Sequence, residues 1–356
     1  MENLLLLFVP ISVACNYLLG HDSLWLFFSA GLAIVPLASW IRKGTEHLAH
    51  HLGSAIGGLL NITFGNLAEL ILAFFLLAEG KGEVVKAQIT GAIIGNGLLG
   101  LGLGILVGSW GRKKQTFRRE NAGQLGSMLI LAVIALLVPA VFDLTERDIY
   151  RSPDTHQLDL HMSVGVSIVL ICVYCLNLVY TLVTHHDVFA ADDGVGEADH
   201  EHWSIAKSLG VLVLASAVVA LESEYVSGAL EGAASALKVS SFFLGITVIA
   251  IAGNAAEYVA AIYFARKNQM GLVVGITVGA TIQIALLVAP LLVLTSLLTE
   301  HPMNLVFHNP LELVAVVGTV FAVNSIAHDG ETTWFEGALL VAVYAILAIA
   351  FLYVTP

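Results

Sequence analysis

Long apolar stretches separated by short polar ones dominate the chain. Mostly apolar runs cover residues 4–19, 24–41, 55–78, 88–109, 124–142, 162–184, 207–230, 241–265, 272–296, 311–327 and 335–354. A bilayer core about 30 Å thick is crossed by roughly 20 helical residues, with a range of about 17–25. Only helices and closed barrels satisfy their backbone in lipid, and a barrel needs short alternating strands. These runs are continuous. The pattern therefore predicts an all-α polytopic membrane protein with about 11 transmembrane helices.

Composition agrees. Of the 356 residues, 58% are hydrophobic and 12% charged, half the roughly one quarter usual in soluble domains. The 33 glycines suit closely packed membrane helices, where small residues let backbones approach. A net charge of −12 argues against a nucleic-acid partner and leaves membrane lipid as the surroundings. Cys15, Cys172 and Cys175 all lie within apolar runs and form no disulfide framework. The N-terminal Met1-Glu2-Asn3 has no basic segment, and no cleavage site precedes a soluble domain. The first run is therefore expected to stay as a span.

Basic residues accumulate on the cytoplasmic side of membrane proteins. Arg112, Lys113, Lys114, Arg118 and Arg119 share one face with Arg42, Lys43, Lys207, Arg266 and Lys267, while Lys81, Lys86, Arg147, Arg151 and Lys238 fall on the other. This places the N-terminus in the cytoplasm and the C-terminus outside, with a prokaryotic cell membrane as the expected host. An internal repeat is also present. The third run holds Gly65-Asn66-Leu67-Ala68-Glu69 and the eighth holds Gly253-Asn254-Ala255-Ala256-Glu257. Five spans separate them, so the copies cross the bilayer in opposite directions. Each is followed by a glycine-rich span bearing amides, Gln88 and Asn96 in the first copy and Gln283 in the second. Inverted repeats of this kind are typical of secondary transporters, whose site lies at the repeat interface. The expected organisation is an N-terminal helix (1–23), a first five-helix repeat (24–184), an acidic His-rich cytoplasmic loop (185–206) and a second five-helix repeat (207–356).

Glu69 and Glu257 carry the chemistry. An ionisable group deep in a membrane helix costs about 2.5–3.5 kcal/mol or more, and its default reading is functional. A protonated, purely structural glutamate is the bland reading, and two matching motifs weigh against it. Asn66 and Asn254 lie three residues before the glutamates and share their helix face. Gly65 and Gly253 allow bending and expose carbonyls. Two carboxylates with neutral oxygens describe a hard divalent-cation site typical of calcium. No thiolate or His cluster joins them, which disfavours zinc and copper.

The two Gly-Asn-x-x-Glu motifs resemble the α-repeats of the cation/proton exchanger family, within the calcium/cation antiporter superfamily. The resemblance runs through Pro36-Leu37-Ala38, Thr45-Glu46, Gly57-Gly58-Leu59-Leu60-Asn61, the amide-bearing spans, Ser240 to Gly245, Asp329-Gly330 and Glu336-Gly337-Ala338. It thus covers nearly the whole chain. It implies export of cytosolic calcium in exchange for protons, with Glu69 and Glu257 binding each in turn and no cofactor beyond the transported ions. Two positions depart from the family pattern. Tyr258 follows the second glutamate where His is frequent, and Gly95 precedes Asn96 where Ser is usual. The sodium-coupled branch typically carries Ser-Pro-Glu-like motifs at the matching place. This chain has neither that proline nor that hydroxyl cluster, which favours proton coupling.

The loop at 185–202 gathers Asp192, Asp193, Glu197, Asp199 and Glu201 with several histidines. It reads as a solvated acidic linker or a low-affinity, regulatory cation antenna, and it lacks EF-hand spacing. His47, His50 and His51 form no His-Glu-x-x-His motif and suit an amphipathic interfacial helix at 42–54. Glu222 and Glu224, two residues apart, face different ways; either could line a cytoplasmic vestibule, and both could equally mark a helix entering water. Together these features predict a non-enzymatic antiporter working by alternating access, with homo-oligomerisation left open. Two emptied carboxylates in a low-dielectric cavity repel each other, so protons from outside would neutralise them before the return step. A divalent-cation channel is the rival reading, and an intramembrane enzyme finds no supporting motif.

Overall fold

The computed structural model describes residues 2–52, 60, 64–146, 156–184, 203–307, 309–328 and 330–354. The acidic loop residues, Asp329 and most of 55–63 lie outside the described residues. After a short turn at Glu2–Leu5 come helices α1 (Phe8–Leu19), α2 (Leu24–Leu52), α3 (Leu67–Ala78), α4 (Gly82–Gly108), α5 (Arg119–Leu144) and α6 (Gln157–Thr184). They are followed by α7 (Ile205–Leu237), α8 (Ser241–Gly253 and Ala255–Arg266), α9 (Met270–Ser296), α10 (Pro310–Ala327) and α11 (Trp334–Leu352). Among the described residues, eight helices are long and apolar enough to cross a membrane, nine if the bent α8 counts as one. α1 and the described part of α3 are shorter, at 12 residues each. The protein is a multi-pass, all-helical integral membrane protein.

Local sequence explains several boundaries. Ser204 caps α7 by accepting from the Lys207 amide. Asn309 caps α10 just before Pro310, whose missing N–H is no loss in a first turn. Thr333 and Glu336 form a capping box at α11, with the Thr333 amide donating to Glu336 Oε2 at 2.7 Å. One expectation fails here. Residues 42–52 are no separate interfacial helix but the continuous end of the 29-residue α2. Pro36 does not break α2, and His47 stacks on Trp203 at 4.5 Å, which binds the end of α2 to the start of α7.

The layers follow from burial. In α4 and α9, 83% and 67% of the apolar window is buried inside the protein, against 22% in α6 and α11. α4 and α9 are therefore central, and α6 and α11 present Val169, Leu176, Ile346 and Ile349 to lipid. α2 packs along α7, where Gly44 lies against Leu212. Two loops meet in a small antiparallel pairing, Gln115 with Thr332 and Thr116 with Glu331. The Lys114–Glu331 ion pair at 2.7 Å reinforces it.

Candidate ion-binding site

Two asparagines with nearly the same non-helical backbone head the candidate site. Asn66 (φ −101°, ψ 17°) precedes α3, and Asn254 (φ −98°, ψ 11°) interrupts α8 with a bend of 52°. Each asparagine heads a 12-residue helix whose third residue is a glutamate, Glu69 or Glu257. Both carboxylates thus sit in a first turn, where free N–H groups and the helix dipole favour negative charge. Neither asparagine caps its own helix through its side chain, which leaves both amides free to reach across.

They reach in reciprocal fashion. Asn66 Nδ2 donates to Gln283 Oε1 at 2.7 Å, joining the first motif to the amide of the second copy. Asn96 Nδ2 donates to Asn254 Oδ1 at 2.5 Å, joining the second motif to the amide of the first. Asn254 also donates to the Ala250 carbonyl at 2.9 Å. Widened π-helical turns occur at Gly95–Gly100 and Ile284–Val288, beside the two amides. Such bulges often mark functional sites.

The motifs themselves touch. A Cβ on Gly253 would lie 3.2 Å from Glu69 Cγ and 3.4 Å from Glu69 Oε1, so the glycine leaves room for the opposing glutamate. Glu69 is buried, and neither of its oxygens has a hydrogen-bond partner of good geometry, although the Asn254 amide is near enough to act on it. Gln88 Oε1, Asn96 Oδ1 and the Tyr258 hydroxyl are likewise buried and unpartnered. Buried polar atoms are normally paired, so the orphan oxygens of Glu69, and of Asn96 that bonds the Asn254 beside it, suit a ligand. Glu257 is half-buried and within electrostatic reach of Arg42. Gly65 has open space where a side chain would be and contacts neither glutamate through that face.

Glu222 and Glu312 are buried carboxyls that stand apart. Glu222 is fully buried and accepts from Ser12 Oγ at 2.8 Å, which ties α7 to α1 and removes it from any vestibule; Glu224 points outward. Glu312 accepts from Thr90 Oγ1 at 3.0 Å. Sequence reading passed over Glu312 because an acidic residue just after Asn309-Pro310 looks like ordinary dipole compensation. It also missed how closely Tyr258 approaches Gly95. Both were noted as departures, yet only the fold shows that they meet.

Helices whose carboxylates and amides converge define the class as a polytopic membrane protein with a buried, oxygen-lined site. Comparison with known proteins gives the family. The sodium/calcium exchanger protein family matches residues 22–183 and 207–353, and the chain belongs to it. It is 42% identical to a Ca(2+)/H(+) antiporter of Aphanothece halophytica, over 98% of this chain and 95% of that protein. It is 40% identical to the Ca(2+)/H(+) antiporter ChaA of Bacillus subtilis, over 96% of each. Native YfkE has a similar structure, with a TM-score of 0.83 at 36% identity over 99% of this chain and 100% of that one. The resemblance to cation/proton exchangers is thereby borne out.

Proposed function

We propose that this chain is a Ca²⁺/H⁺ antiporter that exports Ca²⁺ from the cytosol by alternating access. The observation that carries this reading is the meeting of the two motifs, with Glu69 against Gly253 and its oxygens unpaired. Ca²⁺ as cargo takes six to eight oxygens from carboxylates, amides, carbonyls and water. Glu69 and Glu257 supply the charge, while Asn66, Asn96, Asn254, Gln88 and Gln283 supply neutral oxygens or hold those that do. After Ca²⁺ leaves, the same carboxylates take protons, because two bare charges in this low-dielectric pocket are costly. Coupling follows from shared oxygens. Relatives named as Ca(2+)/H(+) antiporters support exchange and lend nothing to a channel.

The layout that suits this function has about eleven crossings, with an N-terminal helix and two inverted five-helix units. The matching asparagine backbones, 12-residue helices and reciprocal amide bonds support it. The N-terminus lies in the cytoplasm. In support, Arg112 and Arg266 line one cleft, and the 115–116 and 331–332 segments pair. On the opposite face, His301 covers Gly80 and the Asp22 carbonyl abuts Gly232.

Purified protein in sealed vesicles tests the function. An imposed Ca²⁺ gradient should drive protons in the opposite direction, read with a pH-sensitive dye. Ca²⁺ flux with no accompanying proton movement would exclude antiport. The acidic loop is proposed to raise local Ca²⁺ at the cytoplasmic entrance. Neutralising Asp192, Asp193, Glu197, Asp199 and Glu201 together should raise the half-saturating Ca²⁺ concentration by about two- to fivefold at low salt. The maximal rate should hold, and the effect should fade as salt shortens the screening length to about 8 Å. Loss of all transport in the inserted variant would instead place the loop in the translocation path.

A further inference from the structure

Tyr258 follows Glu257 and fills a slot made by two glycines of α4. A Cβ at Gly95 would stand 2.3 Å from the Tyr258 hydroxyl oxygen and 3.6 Å from Cζ. One at Gly100 would stand 2.8 Å from Cδ1 and 2.9 Å from Cε1. The ring thus lies flat along the widened turn that carries Asn96, and no side chain fits at either glycine while it is there. The hydroxyl is buried and has no hydrogen-bond partner, an expensive state for a phenol in a low-dielectric interior. It lies against Gly95, the residue before Asn96, whose Oδ1 is also unpartnered, and within electrostatic reach of Tyr344, Glu257 and Glu69. Packing alone does not account for it, since Phe would fill the same slot without an orphan oxygen.

We propose that the Tyr258 hydroxyl is a lining oxygen of the cation site, brought into the space that Gly95 leaves beside Asn96. The neutral phenol turns a lone pair toward the divalent cation, directly or through one of its waters, so that helix α8 supplies an oxygen which α4 lacks at position 95. The pair Gly95 and Tyr258 is then one functional unit split across two helices. This inference rests on the antiporter reading and specifies its site.

The test uses full-length protein in vesicles with wild-type exchange as reference. Absence of Ca²⁺/H⁺ exchange in the wild type would overturn the antiporter reading, and this inference with it. Given wild-type exchange, Tyr258→Phe should raise the half-saturating Ca²⁺ concentration about tenfold, the size expected for losing one polar contact to a charged group, with a Ca²⁺-free melting temperature no lower than the wild type's. Gly95→Ser alone should abolish exchange, because its Cβ collides with the phenol oxygen. In the Tyr258→Phe background the nearest ring atom is Cζ at 3.6 Å, an ordinary contact, so Gly95→Ser fits there and restores a hydroxyl. That double variant should recover most of the lost affinity, while Gly95→Ala with Tyr258→Phe should fold equally well and recover none. Unchanged affinity in Tyr258→Phe would overturn the proposal. So would equal recovery by the alanine and serine double variants, since that would show a packing role only.

Discussion

Glu69→Gln and Glu257→Gln are each expected to lower Ca²⁺/H⁺ exchange by at least about 100-fold while leaving the protein inserted and folded. Two unit charges 4 Å apart attract by about 4 kcal/mol at an effective dielectric of 20, and a divalent ion doubles this. Even a third of that loss, about 2.7 kcal/mol, is a factor of about 100. Glutamine keeps the volume and one acceptor oxygen, so the contact of Glu69 with Gly253 survives. It removes the charge that offsets Ca²⁺ and the group that carries the proton. A structural, permanently protonated glutamate would behave oppositely, because Gln also donates a hydrogen bond. The measurement is Ca²⁺-driven proton flux in vesicles, with Ca²⁺ binding followed by calorimetry on the same preparations. Similar severity at both positions is expected, although Glu69 is buried and Glu257 half-buried, because both carboxylates offset the same divalent charge. Near-normal exchange in either variant would remove that glutamate from the site, and in both would end the antiporter reading.

The parts of this architecture that were legible in the sequence are those set by local composition. Apolar runs announce helices, and a glutamate inside such a run announces a site, since the cost of burying it demands a reason. The repeated Gly-Asn-x-x-Glu motif puts each asparagine three residues before its glutamate, yet in the fold Asn66 pairs with Gln283 and the Asn254 amide lies near Glu69. What stayed hidden depends on which helix faces which. The crossing bonds from Asn66 to Gln283 and from Asn96 to Asn254 join residues 217 and 158 positions apart, and no periodicity reveals them. Glu222 could be read as a vestibule group because an α-helix shows its faces but not its neighbours; Ser12 of α1 turned out to be that neighbour. The stretch at 42–52 misled for a related reason. Its charges and histidines look interfacial, yet α2 simply runs on past the apolar run to meet Trp203, at a length of about 44 Å for 29 residues. Composition marked where lipid ends and said nothing of where the helix ends.

Close helix contact makes a second large prediction, at a residue with no side chain. A Cβ on Gly91 would lie 2.1 Å from the Ile246 carbonyl oxygen and 2.7 Å from Ala250 Cβ, so α4 and α8 cross there backbone to backbone. Gly245 repeats the arrangement from the other side, with a Cβ 3.0 Å from the Val84 carbonyl oxygen. Lipid offers no hydrophobic drive between helices, and tight contact at small residues is the main source of their association. Gly91→Ala must push the helices apart by about 1 Å, since the atom it meets is backbone and cannot rotate away. Overpacking of this kind costs about 1–3 kcal/mol and occasionally more. The shift also falls five residues from Asn96 and, through Ile246 and Ala250, close to Asn254, so the 2.5 Å bond between those amides should be lost with it. A melting temperature lowered by roughly 1–4 °C is therefore expected in detergent, read from the monodisperse fraction surviving heat. Exchange should fall in parallel in the protein that remains folded. Gly165→Ala is the control, because nothing lies within 4 Å of a Cβ there and alanine is favoured over glycine within a helix by about 1 kcal/mol. That variant should melt no lower than the wild type. A Gly91→Ala protein that melts and exchanges like the wild type would mean that α4 and α8 do not pack this closely, and that the site these helices hold together has some other shape.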